Sequence, residues 1–298
     1  MIKTNLRWAG LLALLPLALS ANACGDSVEV PISRITGPRV LAVLSEPSSL
    51  AIGKQARLTV LVVDQFGPRQ GLPGSAGPGE RPVDAVRWRA CAPWQFIADP
   101  SRDCVGSGAF ALTTFGPGQT DVSAADLEAA FPAPPGIMAP ANAWQFALAQ
   151  GIPLTIPILV EVDVDGQTLV TRYDLPIIGS EATRKTPKIA EVRFDGVASN
   201  IVVKGQPTKI TVAIDPTSID KLPDASEAPF FEEIDAYFYS PTGTFSAFAS
   251  ETPDPDAAAP ETEPVEFTAD QAGDTWIYVV ITDRTGGVNA DWIPITVQ

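Results

Sequence analysis

From Leu154 to Val164 every second residue is apolar: Leu154, Ile156, Ile158, Val160, Val162 and Val164. A strand points successive side chains to opposite faces, so this stretch builds one continuous apolar face. Asp165-Gly166 follows directly, a dipeptide suited to the positive φ angles of a two-residue hairpin turn. Such a loop sets the register. Val164 falls opposite Gln167, Val162 opposite Leu169, Val160 opposite Thr171, Ile158 opposite Tyr173, Ile156 opposite Leu175 and Leu154 opposite Ile177. Most apolar side chains of both strands then share one face, leaving Leu159, Val170 and Ile178 on the other. A slip of one residue would reverse them all, so turn and pattern agree on one pairing.

Other segments read the same way. Pro38–Val43, Gln55–Asp64 and Val86–Cys91 are β-rich runs, the last with Val86, Trp88 and Ala90 inward and Arg87 and Arg89 outward. Phe66 to Pro82 is rich in Gly and Pro and reads as a long loop. Around residues 121–151 the period changes. Ser123-Ala124-Ala125-Asp126 is a capping box ahead of one short helix, and Pro140 to Gln150, stopped by Gly151, is a second. Phe131, Trp144, Phe146 and Leu148 on these helices are expected to cover one end or edge of a β domain, with a partner-binding patch as the alternative.

Glu181 to Thr186 is a polar linker. Beyond it, strands are expected at Pro187–Val192, Lys209–Asp215, Ile234–Tyr239, Trp276–Thr282 and Ile293–Val297, with a mobile acidic loop from Glu251 to Glu263. The halves look like distant repeats. Pro38-Arg39-Val40 corresponds to Pro187-Lys188-Ile189, and Arg57-Leu58-Thr59-Val60 to Lys209-Ile210-Thr211-Val212. With 29 Pro and 23 Gly alongside 45% hydrophobic residues, the composition favours a turn-rich β protein over disorder.

The first 23 residues form a secretory signal. Lys3 and Arg7 precede an apolar stretch from Trp8 to Leu19, and Ala21 and Ala23 flank a cleavage site. At about 12 residues that stretch is short for a membrane span, which needs roughly 20. Either the general signal peptidase or the lipoprotein peptidase can cut before Cys24. Ser20-Ala21-Asn22-Ala23-Cys24 resembles a lipobox, and cysteine parity favours lipidation of Cys24. The chain has three cysteines, and acylating one leaves Cys91 and Cys104 as a disulfide pair in an oxidising compartment. That bond is expected to contribute about 3 kcal/mol on the loop-entropy model. Gly25 to Gly37 is a tether of at most about 45 Å. Gly25 after the Cys fits an outer-membrane lipoprotein, with the periplasmic or exterior face left open.

Chemistry is scarce. The chain contains no histidine, which removes the Ser-His-Asp and Cys-His arrangements and the commonest general base. Loss of the two signal cations takes the formal net charge from −15 to −17, which argues against nucleic acid as a partner. Asp163, Asp165 and Gly166 echo the start of a calcium loop, but Asp174 stands where Glu belongs, and a hairpin turn is the better account. Asp283, Asn289 and Asp291 flank the final hairpin as candidate calcium ligands. Tyr237, Tyr239 and Trp292 are a candidate aromatic platform for a glycan. No other cofactor is expected.

Asp64, Trp88-Arg89-Ala90-Cys91 and Cys104 resemble surface lipoproteins of myxobacterial-type Gram-negative bacteria. The stretch from Phe267 to Gly287 resembles the last strands of PKD and other bacterial Ig-like repeats. The resemblance implies an all-β chain of two tandem Ig-like sandwiches: 38–180, with the small helical insertion, and 187–298, after a signal (1–23) and a lipid-anchored tether (24–37). It implies a location and no activity. The expected function is therefore non-catalytic, a structural or interaction module of the cell envelope. It would hold the membrane through lipid on Cys24 and meet an envelope protein or a glycan. A calcium-stabilised adhesin and a carbohydrate-binding surface protein are the alternatives.

Overall fold

The computed structural model describes residues 32–70, 81–91, 109–112, 114–116, 118–131, 143–149, 154–179, 184–222 and 230–298. The signal, Cys24 and Cys104 lie outside the described residues. In the first half, one sheet runs β1 (Arg39–Glu46), β3 (Gln55–Asp64), β8 (Gln119–Ser123) and β7 (Thr114–Gly116), with β4 (Gly67–Gln70) also on β3. The other runs β2 (Leu50–Ala51), β10 (Gln167–Ile178), β9 (Leu154–Val164), β5 (Ala85–Cys91) and β6 (Ala109–Ala111).

The second half repeats this spatial order, except that β4 has no counterpart. β11 (Ile189–Phe194), β13 (Pro207–Ile214), β19 (Val265–Thr268) and β17 (Thr244–Phe245) form one sheet. β12 (Ile201–Val202), β21 (Val288–Val297), β20 (Gly273–Thr282), β16 (Asp235–Tyr239) and β18 (Ala249–Glu251) form the other. A small hairpin, β14 (Lys221–Leu222) with β15 (Phe230–Phe231), lies apart. In each half the opening strand is split. β1 and β11 pair antiparallel with β3 and β13, and β2 and β12 then pair parallel with β10 and β21. Even the bulges correspond, at Val40/Ala42 and at Ile189/Glu191. The fold is all-β, and this strand order is immunoglobulin-like.

The β9–β10 hairpin has the register its turn dictates, from Val164 opposite Gln167 to Leu154 opposite Ile177. Asp165 and Gly166 take φ of 49° and 76°. The apolar face enters the first core, where Trp88 of β5 is fully buried among Ile156, Ile158, Val160 and Leu58. On the opposite face Arg87 bridges to Glu161 and Asp163, and Arg89 to Glu161, cross-strand pairs of the kind that lock register. α1 (Ala124–Ala130) starts at the Ser123 cap, and α2 (Ala143–Ala149) follows it. Leu127, Phe131 and Trp144 are buried in the first core, so these helices close the sandwich. The side chain of Phe146 lies outside the described residues.

Two loop expectations need correction. Gly67–Gln70, within the expected loop, folds back as β4 onto the end of β3 because Asp64 accepts the Phe66 N–H at 2.7 Å and ion-pairs with Arg69 at 2.6 Å. The segment Glu251–Glu263 is tied at both ends, with the Thr252 N–H donating to Ile234 O and the Glu263 N–H to Glu251 O, each at 2.9 Å. Pro260 O accepts the Ile214 N–H at 2.9 Å, the Thr262 N–H reaches Val212 O at 3.0 Å, and Glu261 pairs with Arg193.

A third core lies outside both sandwiches. Ala42, Leu44, Leu61 and Val63 on the outer face of β1 and β3, with Ile35 from the segment before β1, pack with Tyr278, Val280 and Ala290 on the outer face of β20 and β21. β3 and β20 are therefore covered on both faces. Their sequences explain it: Leu58–Val63 and Trp276–Ile281 are nearly unbroken apolar runs, the pattern of a strand with no solvent face. Polar ties reinforce this seam. The Tyr278 hydroxyl donates to Asp64 O at 3.0 Å, and the Tyr173 hydroxyl to Gly286 O at 2.8 Å. The Ile35 N–H donates to Ser240 O at 2.9 Å. Pro31–Gln298 accordingly forms one compact unit.

Candidate functional site

Beside the third core lies a cleft of about 300 Å³. Leu44 and Val288, which also belong to the third core, give it an apolar side. Ser45, Glu46, Arg57 and Thr59 line it from β1 and β3. Thr186 and Lys188 line it from the linker, and Asn289 from β21.

The linker is held in place to form that wall. Thr186 Oγ1 donates to Ser45 O at 3.0 Å, and Ser48 Oγ donates to Lys185 O at 3.0 Å. From the other side, the Lys185 N–H donates to Asp220 Oδ2 and the Lys188 N–H to Ser218 Oγ, each at 2.8 Å. Both sandwiches thus clamp residues that read as a free polar linker. Arg57 is bidentate with Asp121, at 2.9 and 3.3 Å, which raises its already high pKa. It remains exposed, as do Lys188 and Glu46. The cleft therefore joins two cations, one carboxylate, several hydroxyl and amide groups and an apolar patch, a composition suited to holding a small polar group beside an apolar one.

Of the residues singled out from sequence, only Asn289 lines this cleft. The calcium candidates do not converge as a ligand set. Asp283 Oδ1 accepts the N–H groups of Thr285 and Gly287, both at 2.8 Å, while Asn289 Oδ1 accepts from Ala290 and Asp291 Oδ1 from Trp292. Among the described residues, no group of three or more Asp, Glu, Cys or His is arranged to hold a metal ion. Asp163 and Asp165 are likewise engaged, by Arg87 and Arg69, whose guanidinium groups hold both carboxyls below their usual range.

The aromatic candidates are half-buried beside the third core. Phe248 lies tilted against Tyr237, with ring centroids 5.4 Å apart, and edge-on to Tyr239 at 5.3 Å, and Arg39 lies 5.8 Å from the Tyr239 ring. Trp292 packs against the same core. These rings support the seam rather than form an open platform. Cys91 ends β5, buried.

No protein-family model and no curated protein matches the chain. Solved structures do resemble it weakly. The D00–D0 domain of intimin is 7% identical with a TM-score of 0.25, covering 87% of this chain and 98% of that one. The N-terminal Ig1–2 module of the Drosophila receptor protein tyrosine phosphatase DLAR is 10% identical with a TM-score of 0.26, covering 88% and 99%. The Yersinia pseudotuberculosis adhesin InvE is 11% identical with a TM-score of 0.23, covering 85% and 58%. The immunoglobulin-like assignment rests on the strand order itself. No helix among the described residues is long and apolar enough to cross a membrane.

Sequence reasoning missed Arg57, Lys188 and Thr186 as a group because β3 and the linker lie far apart in the chain. The available signal was the unbroken apolar run of β3, which marks a strand with a covered outer face and hence a seam.

Proposed function

We propose that this protein is a non-catalytic, lipid-anchored interaction module of the bacterial cell envelope that engages its partner at the seam cleft. The reading is carried by one observation: the third core fixes two sandwiches face to face and places Arg57, Lys188 and Asn289 around a cleft. A rigid scaffold that displays polar groups from loops and strand ends is how immunoglobulin-like folds bind. The partner is an envelope protein presenting an acidic segment, matched to Arg57 and Lys188. A photoreactive residue at Asn289 is expected to capture one discrete partner in intact cells, while the same residue at exposed Val170 captures none. Reversing both cations (Arg57→Glu with Lys188→Glu) is expected to reduce capture at least tenfold. Equal capture at both positions, or capture indifferent to the reversal, would contradict the assignment.

The anchor is supported by the export signal and the lipobox-like run before Cys24. Two acyl-bearing groups on one cysteine give stable attachment to a bilayer, where a single chain does not. Outer-membrane placement and kinship with surface lipoproteins belong to the same reading. Intact mass of the purified mature protein is expected to show a chain beginning at Cys24 with diacylglyceryl and amide-linked acyl groups. It is also expected to show two hydrogens fewer than the reduced chain, for a Cys91–Cys104 disulfide. A chain beginning at Cys24 without acyl mass would remove the anchor.

A further inference from the structure

Behind the cleft wall, two carboxylates are shut away from water: Asp283, 1% exposed, in the turn after β20, and Glu232, 2% exposed, just before β16. One hydroxyl stands between them. Thr285 Oγ1 lies 2.9 Å from Glu232 Oε1 and 3.0 Å from Asp283 Oδ1. A hydroxyl owns a single hydrogen and can donate to only one of these acceptors. The other oxygen–oxygen contact needs a second proton, carried by a carboxyl group. Asp283 Oδ1 already accepts two backbone N–H groups, which suits the ionised form, so the extra proton belongs to Glu232. The chain then runs Glu232 O–H to Thr285 Oγ1, and Thr285 O–H to Asp283 Oδ1.

The turn that carries this chain is also a tie across the seam. Gly286 O accepts the Tyr173 hydroxyl, and a Cβ on Gly286 would stand 2.5 Å from Pro176 Cγ of β10. The turn closes on itself through the Asp283 N–H to Gly287 O at 3.1 Å, and Val288, next in the chain, lines the cleft. Asp283 Oδ2 is buried and unpartnered, against Gly287 and Pro187 of the linker. Arg184 is the cation that acts on both carboxylates, and burial outweighs it at each.

We propose that Glu232, Thr285 and Asp283 form a one-proton latch, which holds the turn Asp283–Gly287 against the first sandwich while the proton is resident and frees it when the proton leaves. The electrostatics of the neighbourhood agree. Burial, then the Asp283 carboxylate, push Glu232 up to about 7, with Asp220 adding to the rise and Thr285 and Arg184 opposing it. Burial raises Asp283 as well, against its own hydrogen bonds and Arg184. Other charged groups nearby are Lys185, 3.9 Å from Asp220, and Arg284, which pairs with Glu233, Asp235 and Glu251 beside the same turn. Burial, then Asp283 and Asp174, raise the Tyr173 phenol so that it stays a donor. A carboxyl raised above its unfolded value stabilises the fold fully at pH below about 4.5, and that contribution is lost as pH rises through about 7. The latch is closed in mild acid and open in mild base, whatever occupies the cleft, so its failure would leave the partner assignment standing.

Hydrogen–deuterium exchange of the full mature chain in mild detergent, corrected for intrinsic rates, tests it. Protection of residues 283–288 and of the linker 184–188 is expected to fall at least tenfold between pH 6 and pH 8.5. In Glu232→Gln, whose amide donates to Thr285 as the protonated acid does, the fall is expected to be under twofold. Unchanged protection in the native protein, or an equal fall in the variant, would overturn the latch. Carboxyl carbon NMR of the native protein decides independently of any variant. One glutamate titrating near pH 7 supports the latch, and all glutamates titrating below pH 5 refute it.

Discussion

Asp64→Ala is expected to destabilise the protein by about 3–5 kcal/mol, the range for removing one partner from a buried ion network. The Asp64 carboxylate is 2% exposed and accepts from Arg69, Arg81 and the Phe66 N–H. Arg69 is itself buried, and its other partner, Asp165, is largely exposed at the tip of the β9–β10 hairpin. Without Asp64 the guanidinium keeps its charge and loses its enclosed counterion, and β4 loses the turn that folds it onto β3. Asp64→Asn is expected to recover part of the loss, since the amide oxygen still accepts from Phe66. Chemical denaturation midpoints measure both, and a loss under about 1 kcal/mol for Asp64→Ala would show the network to be incidental. The carbonyl of the same residue accepts from Tyr278, so the network also touches the seam.

The second large effect concerns the seam directly. Leu61 is 1% exposed, yet it faces neither sandwich core; it belongs to the third core. Leu61→Asp places an unpaired carboxylate among apolar side chains, at a cost of several kcal/mol if the seam stays closed. Each sandwich has its own core, so opening the seam relieves that cost. Calorimetry is therefore expected to change from one unfolding transition to two, the earlier shifted down by about 10 °C or more, given a few degrees per kcal/mol for domains of this size. Val280→Asp, from the opposite side of the seam, is expected to do the same. A single transition with unchanged midpoint in either variant would show that the third core does not couple the halves.

Much of each sandwich was legible because its rules are local. Strict alternation and an Asp-Gly turn determine the β9–β10 register residue by residue, and the structure keeps it. The paired motifs at Arg39 and Lys188, and at Arg57 and Lys209, anticipate strands that occupy equivalent places in equivalent sheets. Helix capping at Ser123 likewise needs only four residues of context. The seam was harder, because unbroken apolar runs in β3 and β20 say that both faces are covered without saying by what. The latch was invisible: Asp283 and Thr285 were read only as part of the Ig-like stretch Phe267–Gly287, Glu232 belongs to no motif, and only the fold puts one hydroxyl between two carboxyls. Asp283 was noticed as a candidate calcium ligand beside the reading of a solvated turn residue; the structure places it in the turn, buried and accepting two backbone N–H groups.

The pH behaviour should show two opposed trends. Asp163 and Asp165 are held low by Arg87 and Arg69, and Asp215 by Thr217, so their stabilisation is present above the usual carboxylate range and lost as pH falls. Glu232 acts in the opposite sense between about 4.5 and about 7. Together they place maximal stability in mild acid.

Joined through the third core, the two immunoglobulin-like sandwiches are expected to tumble as one rigid body. Residual dipolar couplings from Cys24→Ser protein, which lacks the anchor, test it most directly at pH 6, where the latch is closed. One alignment tensor is expected to fit the amides of both sandwiches with β1 and β3 packed against β20 and β21. Separate tensors of different magnitude for 38–179 and 188–298 would mean independently moving domains and would contradict the account.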